Sequence, residues 1–490
     1  MTNAPRTRFR ALLGYAHTMM SRRHIARYSA VLGLAATVLI VPATSQLVPS
    51  ASAADCTMCG GGEFHPLTPA RIFDSRPASA INDVFPFGAK PLSGPEPATF
   101  DIALLGQGGI PTDATKVLAV VVNITVTEPR ANGYLEAYGK GAKPVNRTSI
   151  INFAPNQTVP NVSIVRPGQD GALTIGLFGG GGTTANVIVD VFGWFSTSNY
   201  TGTDGARLIP VTPSRILDTR DGTNRPGATP VGQKETMDLQ IRGVDGVSPA
   251  VIDVVPFSDE VTGVLLNVVG ITTDPGATAT HLSVFPDALP AGQEPTTSNV
   301  NLAAGVIKAN LVFVPIGTDG KVRIFNNQGQ TQVVADVVGY MRSNQSETTH
   351  AGRVVPLSSP YRTFDTRLPQ FGGVALGPGQ AEDWSFADFA ASVAIGADAV
   401  GAQLAVIGNL TSAALTRQYP TAIARSFLTA YPTSSSRPLS SNLNTIEGPP
   451  VPNMAILTYS SSSDPTVRVY NLAGYDHYLF DASAVVLANA

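Results

Sequence analysis

Three segments of the chain carry two arginines and one aspartate at nearly the same spacing, and these side chains are the best suited to chemistry. They are Arg71, Asp74 and Arg76, then Arg215, Asp218 and Arg220, then Arg362, Asp365 and Arg367. A further carboxylate recurs later in each copy, at Asp190, Asp336 and Asp481. Arginine offers a planar fork that pairs with a carboxylate through two hydrogen bonds. The pattern therefore predicts either a partly buried network that ties the first strand of each copy to its last, or a ligand-binding arginine pocket or cation site.

The spacing also predicts which motif residues share a face. In a regular strand, residues two apart point the same way. Asp74 and Arg76 are therefore expected on one side of their strand, with Arg71 on the other.

Histidine is too scarce to support a repeated catalytic site. Beyond residue 53 the chain has four histidines. One of them, His65, does not recur, because it corresponds to Ile209 and Val355 in the other copies. No metal-protease, nucleophile-elbow or phosphate-loop motif is present. We therefore expect no catalytic residue, no metal site and no cofactor. A pair of carboxylates for glycoside hydrolysis is the remote enzymatic alternative.

The two cysteines of the chain, Cys56 and Cys59, are followed by three glycines. A redox Cys-x-x-Cys pair needs a helix N-terminus to lower the thiol pKa, and the glycines oppose a helix there. A small local disulfide is the first interpretation. An inter-chain link, free thiols and catalysis are the alternatives.

Internal repetition organises the rest of the chain. The first motif arginine recurs at intervals of 144 and then 147 residues. A Ser-x-x-Asn block follows in each copy, and another asparagine lies nine residues further on. These blocks end at Asn152, Asn301 and Asn444, and the later asparagines are Asn161, Asn310 and Asn453. We expect the asparagines to satisfy turns or strand edges.

Short β-branched runs separated by Gly, Asn and Asp turns predict an all-β chain of about eight strands per copy. The expected fold is three tandem antiparallel β-sandwich repeats, of jelly-roll or immunoglobulin-like type. The expected bounds of the repeats are 60–197, 205–343 and 352–490. The third copy has diverged, because Phe480–Val485 lacks the glycine and the aromatic residue with which the first two copies close. Short polar linkers predict a row of separate modules. The third is expected to be a terminal cap, and divergence for binding through the Leu410–Thr421 loop is the alternative.

Residues 1–53 read as a signal peptide. Six arginines and no acid are followed by an apolar run and then by Ala51-Ser52-Ala53. The run, at about 14 residues, is shorter than the roughly 20 that span a membrane. Sec and twin-arginine export both remain open. We expect a secreted or extracellular protein with no membrane span after cleavage. Association with the cell wall is compatible with this expectation.

Charge excludes one class of partner. Beyond residue 53 the chain has 26 basic and 35 acidic residues, a net charge of −9. Such a chain does not attract nucleic acid or other anionic polymers. A neutral glycan or a protein fits better.

The opening motif Pro-x-Arg-(Ile/Leu)-(Leu/Phe)-Asp-(Thr/Ser)-Arg and the closing motif Val-x-x-Asp-Val-x-Gly-(Tyr/Trp) resemble a tandem β-sandwich module of secreted proteins from high-GC Gram-positive and related bacteria. The resemblance covers residues 64–341 and weakens over 353–490. It implies a non-catalytic role in surface attachment or glycan contact. Binding of a cell-wall or environmental glycan, or of a surface protein, is the first functional interpretation. A self-associating structural subunit of a surface fibre or matrix is the second.

Overall fold

The computed structural model describes residues 60–77, 91–93, 97–144, 147–180, 183–274, 277–290, 292–343, 349–393, 403–413, 425–446 and 450–488. The signal peptide and the Cys56–Cys59 pair lie outside these residues, so both stay predictions. Within the described residues no helix is long and apolar enough to cross a membrane.

The described strands fall into three successive sets. The first comprises β1 (Phe64–Asp74), β2 (Ala98–Ala103), β3 (Val117–Thr127), β4 (Gly133–Gly139), β5 (Ile151–Phe153), β6 (Val159–Val165), β7 (Ala172–Gly179) and β8 (Asn186–Ser196). The second comprises β9 (Ala206–Asp218), β10 (Thr236–Gln240), β11 (Val244–Val247), β12 (Ala250–Val255), β13 (Val261–Ile271), β14 (Thr280–Phe285), β15 (Val300–Leu302), β16 (Ile307–Pro315), β17 (Lys321–Asn326) and β18 (Gln332–Ser343). The third comprises β19 (Val354–Asp365), β20 (Ala381–Ser385), β21 (Gln403–Ser412), β22 (Arg425–Pro432), β23 (Leu443–Ile446), β24 (Val451–Thr458), β25 (Thr466–Asn471) and β26 (Tyr478–Leu487).

Helical structure is minor in the described residues. One four-residue helix, α1 (Phe389–Ser392), is present. Two single 3₁₀ turns occupy Gln169–Gly171 and Pro369–Phe371. The all-β sandwich class is confirmed.

The strand order identifies each repeat as a jelly roll. In repeat 1 one sheet runs β1-β8-β3-β6 and the other runs β2-β7-β4-β5. The same order recurs as β9-β18-β13-β16 with β10-β17-β14-β15, and as β19-β26-β21-β24 with β20-β25-β22-β23. This interleaving of early and late strands is the two-sheet jelly-roll connection rather than the immunoglobulin one. Repeat 2 adds a hairpin, β11–β12, between its second and third jelly-roll strands.

The sheet that holds the opening and closing strands, called here the inner sheet, is buried on both faces. In β3, every residue from Val117 to Thr127 is buried. Val120 and Val122 pack into the core of repeat 1, whereas Ala119 and Val121 face a second core on the other side of the sheet. Edge strands of the outer sheets alternate instead, as in β2 and β10, where buried and exposed residues follow one another. One face of an outer sheet therefore meets solvent along this edge.

The second core is common to all three repeats. It joins apolar residues of the three inner sheets, among them Phe64, Ile164, Phe313, Ile407 and Met454. The described residues accordingly belong to one compact unit. The predicted row of separate modules is therefore wrong, because the repeats bury their inner sheets against one another.

The repeats close into a ring at the start of their opening strands. Phe64 of β1 pairs with Ala206 of β9, which joins two inner sheets into one of eight strands. The amide of Leu208 donates to the carbonyl of Gly352 at 2.8 Å. Gly62 and Val354 exchange two main-chain hydrogen bonds of 2.8 and 2.9 Å. Each repeat thus contacts both others, so the third is not a terminal cap.

Candidate functional site

The structure joins the opening and closing motifs of each repeat. The Arg71 Nε donates to Asp190 Oδ1 at 2.9 Å, and the corresponding bonds of Arg215 with Asp336 and of Arg362 with Asp481 measure 2.9 and 2.8 Å. Burial raises the pKa of all three closing-strand carboxyls, and the paired arginine opposes that rise. The network ties the first strand of each sandwich to its last.

The expectation that Arg71 and Asp74 face opposite ways is wrong. Arg71 Nη1 donates to Asp74 Oδ2 at 3.2 Å, from the same side as Arg76, whose Nη2 lies 2.7 Å from that oxygen. A β-bulge is the reason. Between Arg71 and Phe73 the register with β8 shifts, so Ile72 is an extra residue and the side-chain alternation is reset. The same shift occurs in β9 and β19.

Each motif network also reaches the next repeat around the ring. Arg71 Nη2 donates to the carbonyl of Thr296 at 3.5 Å, and Arg215 Nη2 donates to that of Leu439 at 3.1 Å. In the third repeat Asp481 accepts from the amide of Ser149 in repeat 1 at 3.4 Å. The motif residues therefore lie at the three seams between repeats.

Asparagines complete these seams. Asn123, Asn267 and Asn409 lie opposite the closing-strand aspartates in the ladder. Each donates to the carbonyl of the serine in the next repeat's Ser-x-x-Asn block, namely Ser298, Ser441 and Ser149. Each also accepts from that repeat's later asparagine, Asn310, Asn453 or Asn161. These contacts pair most of the buried amide groups with one another, and the Oδ1 of Asn310 is the exception.

The asparagines that lie opposite the closing-strand aspartates were not predicted from the sequence to be functional residues. Asn123, Asn267 and Asn409 each interrupt an apolar strand at the same place in their repeat. A polar residue that recurs inside three buried strands was the available signal for a contact between copies.

The remaining asparagines converge on a cavity where the three repeats meet. Asn152, Asn301 and Asn444 all line this axial cavity, which has a volume of about 430 Å³. Three serine–asparagine contacts, of 3.1, 3.1 and 3.5 Å, orient the side chains of these asparagines within their own repeats. The sequence had assigned them to turns and strand edges, so their meeting in one cavity was not foreseen.

The rest of the axial cavity combines amides with apolar side chains. Further amide groups come from Gln157, Asn327 and Gln328, and apolar contacts come from Val159, Leu302, Val306, Ile307 and Val451. Two basic residues, His281 and Lys308, complete the wall. Burial, and then the charge of Lys234, lower the pKa of His281. None of the described residues that line the cavity is acidic.

A smaller cavity of about 230 Å³ opens at the seam between repeats 3 and 1. Arg147, Arg362 and Arg367 line it together with Tyr134. It shares Asn152 and Pro450 with the axial cavity. Arg362 and Arg367 are already paired with Asp481 and Asp365.

The aromatic side chains of Tyr138, Phe285 and Tyr431 are buried, so they belong to the core. A side chain at Gly193 would collide with the Phe64 ring, which explains the glycine of the closing motif. In the described part of the chain, no group of three or more His, Cys, Asp or Glu residues could hold a metal ion.

The fold of this chain is classified from its strand order, because the comparisons with known proteins are too weak to classify it. No protein-family model matches the chain, and no curated protein matches it. Among solved structures, the N-terminal CBM22-1-CBM22-2 tandem domain of Paenibacillus barcinonensis Xyn10C is 11% identical, with 51% of this chain and 84% of that chain covered and a TM-score of 0.15. A triple jelly-roll protein of an archaeal virus turret is 10% identical, with 88% and 91% covered and a TM-score of 0.16. A protein of Sulfolobus Turreted Icosahedral Virus is 11% identical, with 82% and 86% covered and a TM-score of 0.16. The molecule is an all-β protein of jelly-roll sandwiches.

Proposed function

We propose that the chain is a secreted, non-catalytic extracellular protein that binds a glycan in the axial cavity. The observation that carries the proposal is the convergence of Asn152, Asn301 and Asn444, one from each repeat, on a single cavity. A volume of about 430 Å³ falls within the range of roughly 300–1,000 Å³ typical of small-molecule sites. The three repeats therefore build one site together rather than three separate sites.

The lining suits a sugar. An amide group both donates and accepts hydrogen bonds, as a sugar hydroxyl does. Apolar residues such as Val159 and Val451 can contact the C–H faces of a ring. Glycoside hydrolysis requires two carboxyl groups beside the scissile bond. The described lining has none, which supports a binding role.

The test is a screen of the mature protein against isolated cell wall and a glycan array, followed by calorimetry on any positive sugar. Asn301→Ala should weaken binding about tenfold, since a lost hydrogen bond to a ligand costs about 1–1.5 kcal/mol. Asn132→Ala, at an exposed loop position, is the matched control and should bind normally. The proposal fails if no glycan binds, or if Asn301→Ala binds as well as the control.

Export is tested separately. Sequencing of the extracellular protein should find a first residue near Ala53 or Ala54. A first residue before position 40 would contradict the cleavage site.

A second candidate function is self-assembly at the cell surface, favoured by an exposed apolar hairpin in repeat 2. Ile252 is 85% exposed, and Val247 and Val251 are also exposed on β11–β12. Phe257, two residues after β12, is 83% exposed. Large exposed apolar side chains that form a patch mark contact surfaces. If light scattering finds oligomers that the double variant Ile252→Asp/Phe257→Ser abolishes, the hairpin joins copies of the chain. A monomeric wild-type protein would remove this candidate.

A further inference from the structure

Lys308 breaks the pattern of its repeat position. It lies two residues before Asn310, and the residues two before Asn161 and Asn453 are Val159 and Val451. All three line the axial cavity. A position that is valine in two repeats has thus become the one lysine in the described wall.

The ammonium group of Lys308 lacks a counter-ion among the described residues. Its Nζ donates to the carbonyl of Thr158, across the seam in repeat 1, at a long 3.4 Å. An ammonium can donate three hydrogen bonds. Lys308 is half-buried in the cavity wall, and burial lowers its pKa to about 7.

Among the described residues near the cavity, Lys234 is paired with Glu294 at 2.7 Å, close to His281. None of the described lining residues is acidic. A carboxylate placed beside Lys308 would therefore stabilise the protonated, charged form of its amine.

We infer that the ligand of the axial cavity carries a carboxylate, and that Lys308 pairs with it. The ligand class is therefore a sugar with one acidic group, such as a uronic acid unit. The inference rests on the proposed glycan-binding function and narrows it. A single lysine in a mature chain of net charge −9 suits one carboxylate rather than a polyanion.

The probes are neutral oligosaccharides that carry a single glucuronic acid unit, and the same oligosaccharides after reduction of that one carboxyl group, which converts the unit to glucose. Calorimetry with the wild-type chain should give at least about tenfold tighter binding of the acidic form, the range of a charge-assisted hydrogen bond. Oligosaccharides with a single galacturonic acid unit, and their reduced galactose forms, repeat the comparison with a different ring stereochemistry.

Two variants test whether Lys308 is responsible for the tighter binding of the acidic form. Lys308→Val introduces the residue that both sibling repeats carry, so the fold should tolerate it. This variant should bind acidic and reduced forms equally, while Lys308→Arg should keep the preference. Lys116→Met, which removes a lysine from an exposed pair with Asp113, is the charge-matched control and should behave as wild type.

The outcomes separate the two claims. Binding of reduced oligosaccharides without preference for the acidic form would overturn the inference and leave the proposed function intact. A preference that survives in Lys308→Val would also overturn it. If neither form of either sugar nor any other glycan binds, the proposed function fails and the inference fails with it.

Discussion

At the residue scale, Arg215 and Arg220 contact the same carboxylate from different depths. Arg215 is 12% exposed and joins Asp218, Asp336 and the carbonyl of Leu439. Arg220 is 50% exposed and contacts Asp218 from the solvent side. The inner arginine therefore bridges strands and repeats, whereas the outer one covers a single aspartate.

Arg215→Ala should lower the free energy of unfolding by about 3–5 kcal/mol, because it leaves the buried Asp336 carboxylate without its cation. Urea denaturation followed by fluorescence or circular dichroism measures the loss. Arg220→Ala is the comparison and should cost about 1 kcal/mol, in keeping with a half-exposed pair. Equal costs for the two variants would refute the division of roles.

Asp476 should make the protein less stable as the pH rises. Its carboxylate is buried and its partner is the Ser412 hydroxyl, at 2.7 and 2.8 Å from the two oxygens. Burial raises the pKa of Asp476 to about 7. Above about pH 4 the unfolded chain loses this proton while the folded chain keeps it, so the folded state binds more protons and its stability falls until the pH passes about 7.

Asp476→Asn provides the measurement. The free energy of unfolding of the wild type relative to Asp476→Asn should fall by up to about 1.4 kcal/mol per pH unit between pH 4 and pH 7. Denaturation curves at several pH values give this difference directly. A difference that does not change over this range would show that Asp476 titrates normally.

Part of this residue-scale picture was predictable. The pairing of the opening arginine with the closing aspartate follows from their recurrence, since three copies keep both. The position of Arg71 beside Asp74 does not, because it depends on the bulge at Ile72, and a bulge leaves no mark in the alternation of residue types. The cavity was also hidden, because its asparagines come from segments nearly 150 residues apart.

At the scale of the strands, the ring had a signal in the sequence. Val117–Val126 is a nearly continuous apolar run, and such runs are typical of strands buried on both faces. The outer strand β10 alternates instead. The contrast predicts that the inner sheets are covered by something beyond their own repeat. It does not identify the cover, which is the other two repeats.

The starts of the three opening strands form a charged ring that should contribute to closure. Glu63, Arg207 and Arg353 hold the same place in their repeats, and Glu63 Oε1 lies 3.2 Å from an Nη2 of each arginine. Glu63→Gln removes the carboxylate that both guanidinium groups contact, and we expect a loss of about 1.5–3 kcal/mol in the free energy of unfolding.

Glu260→Gln is the matched control. Glu260 pairs with Arg342 within one repeat, and both side chains are half exposed, so the loss should stay below about 1 kcal/mol. Denaturation of both variants in low and high salt measures the two losses in the free energy of unfolding. If Glu63→Gln is as stable as the control, the charged ring contributes nothing to closure.

At the scale of the whole molecule, the three repeats are expected to unfold as one. The common core draws on all three inner sheets, and repeat 3 covers surface of both repeat 1 and repeat 2. A fragment without residues 352–490 would expose that core to water. Its exposed apolar surface would promote aggregation.

Scanning calorimetry of the mature chain tests the central claim, that three jelly rolls around one core form a single folding unit and a single site. A single folding unit should give one endothermic transition whose calorimetric enthalpy equals its van't Hoff enthalpy. Two or three separable transitions, each with about a third to two thirds of the total enthalpy, would contradict it and return the molecule to a row of independent modules.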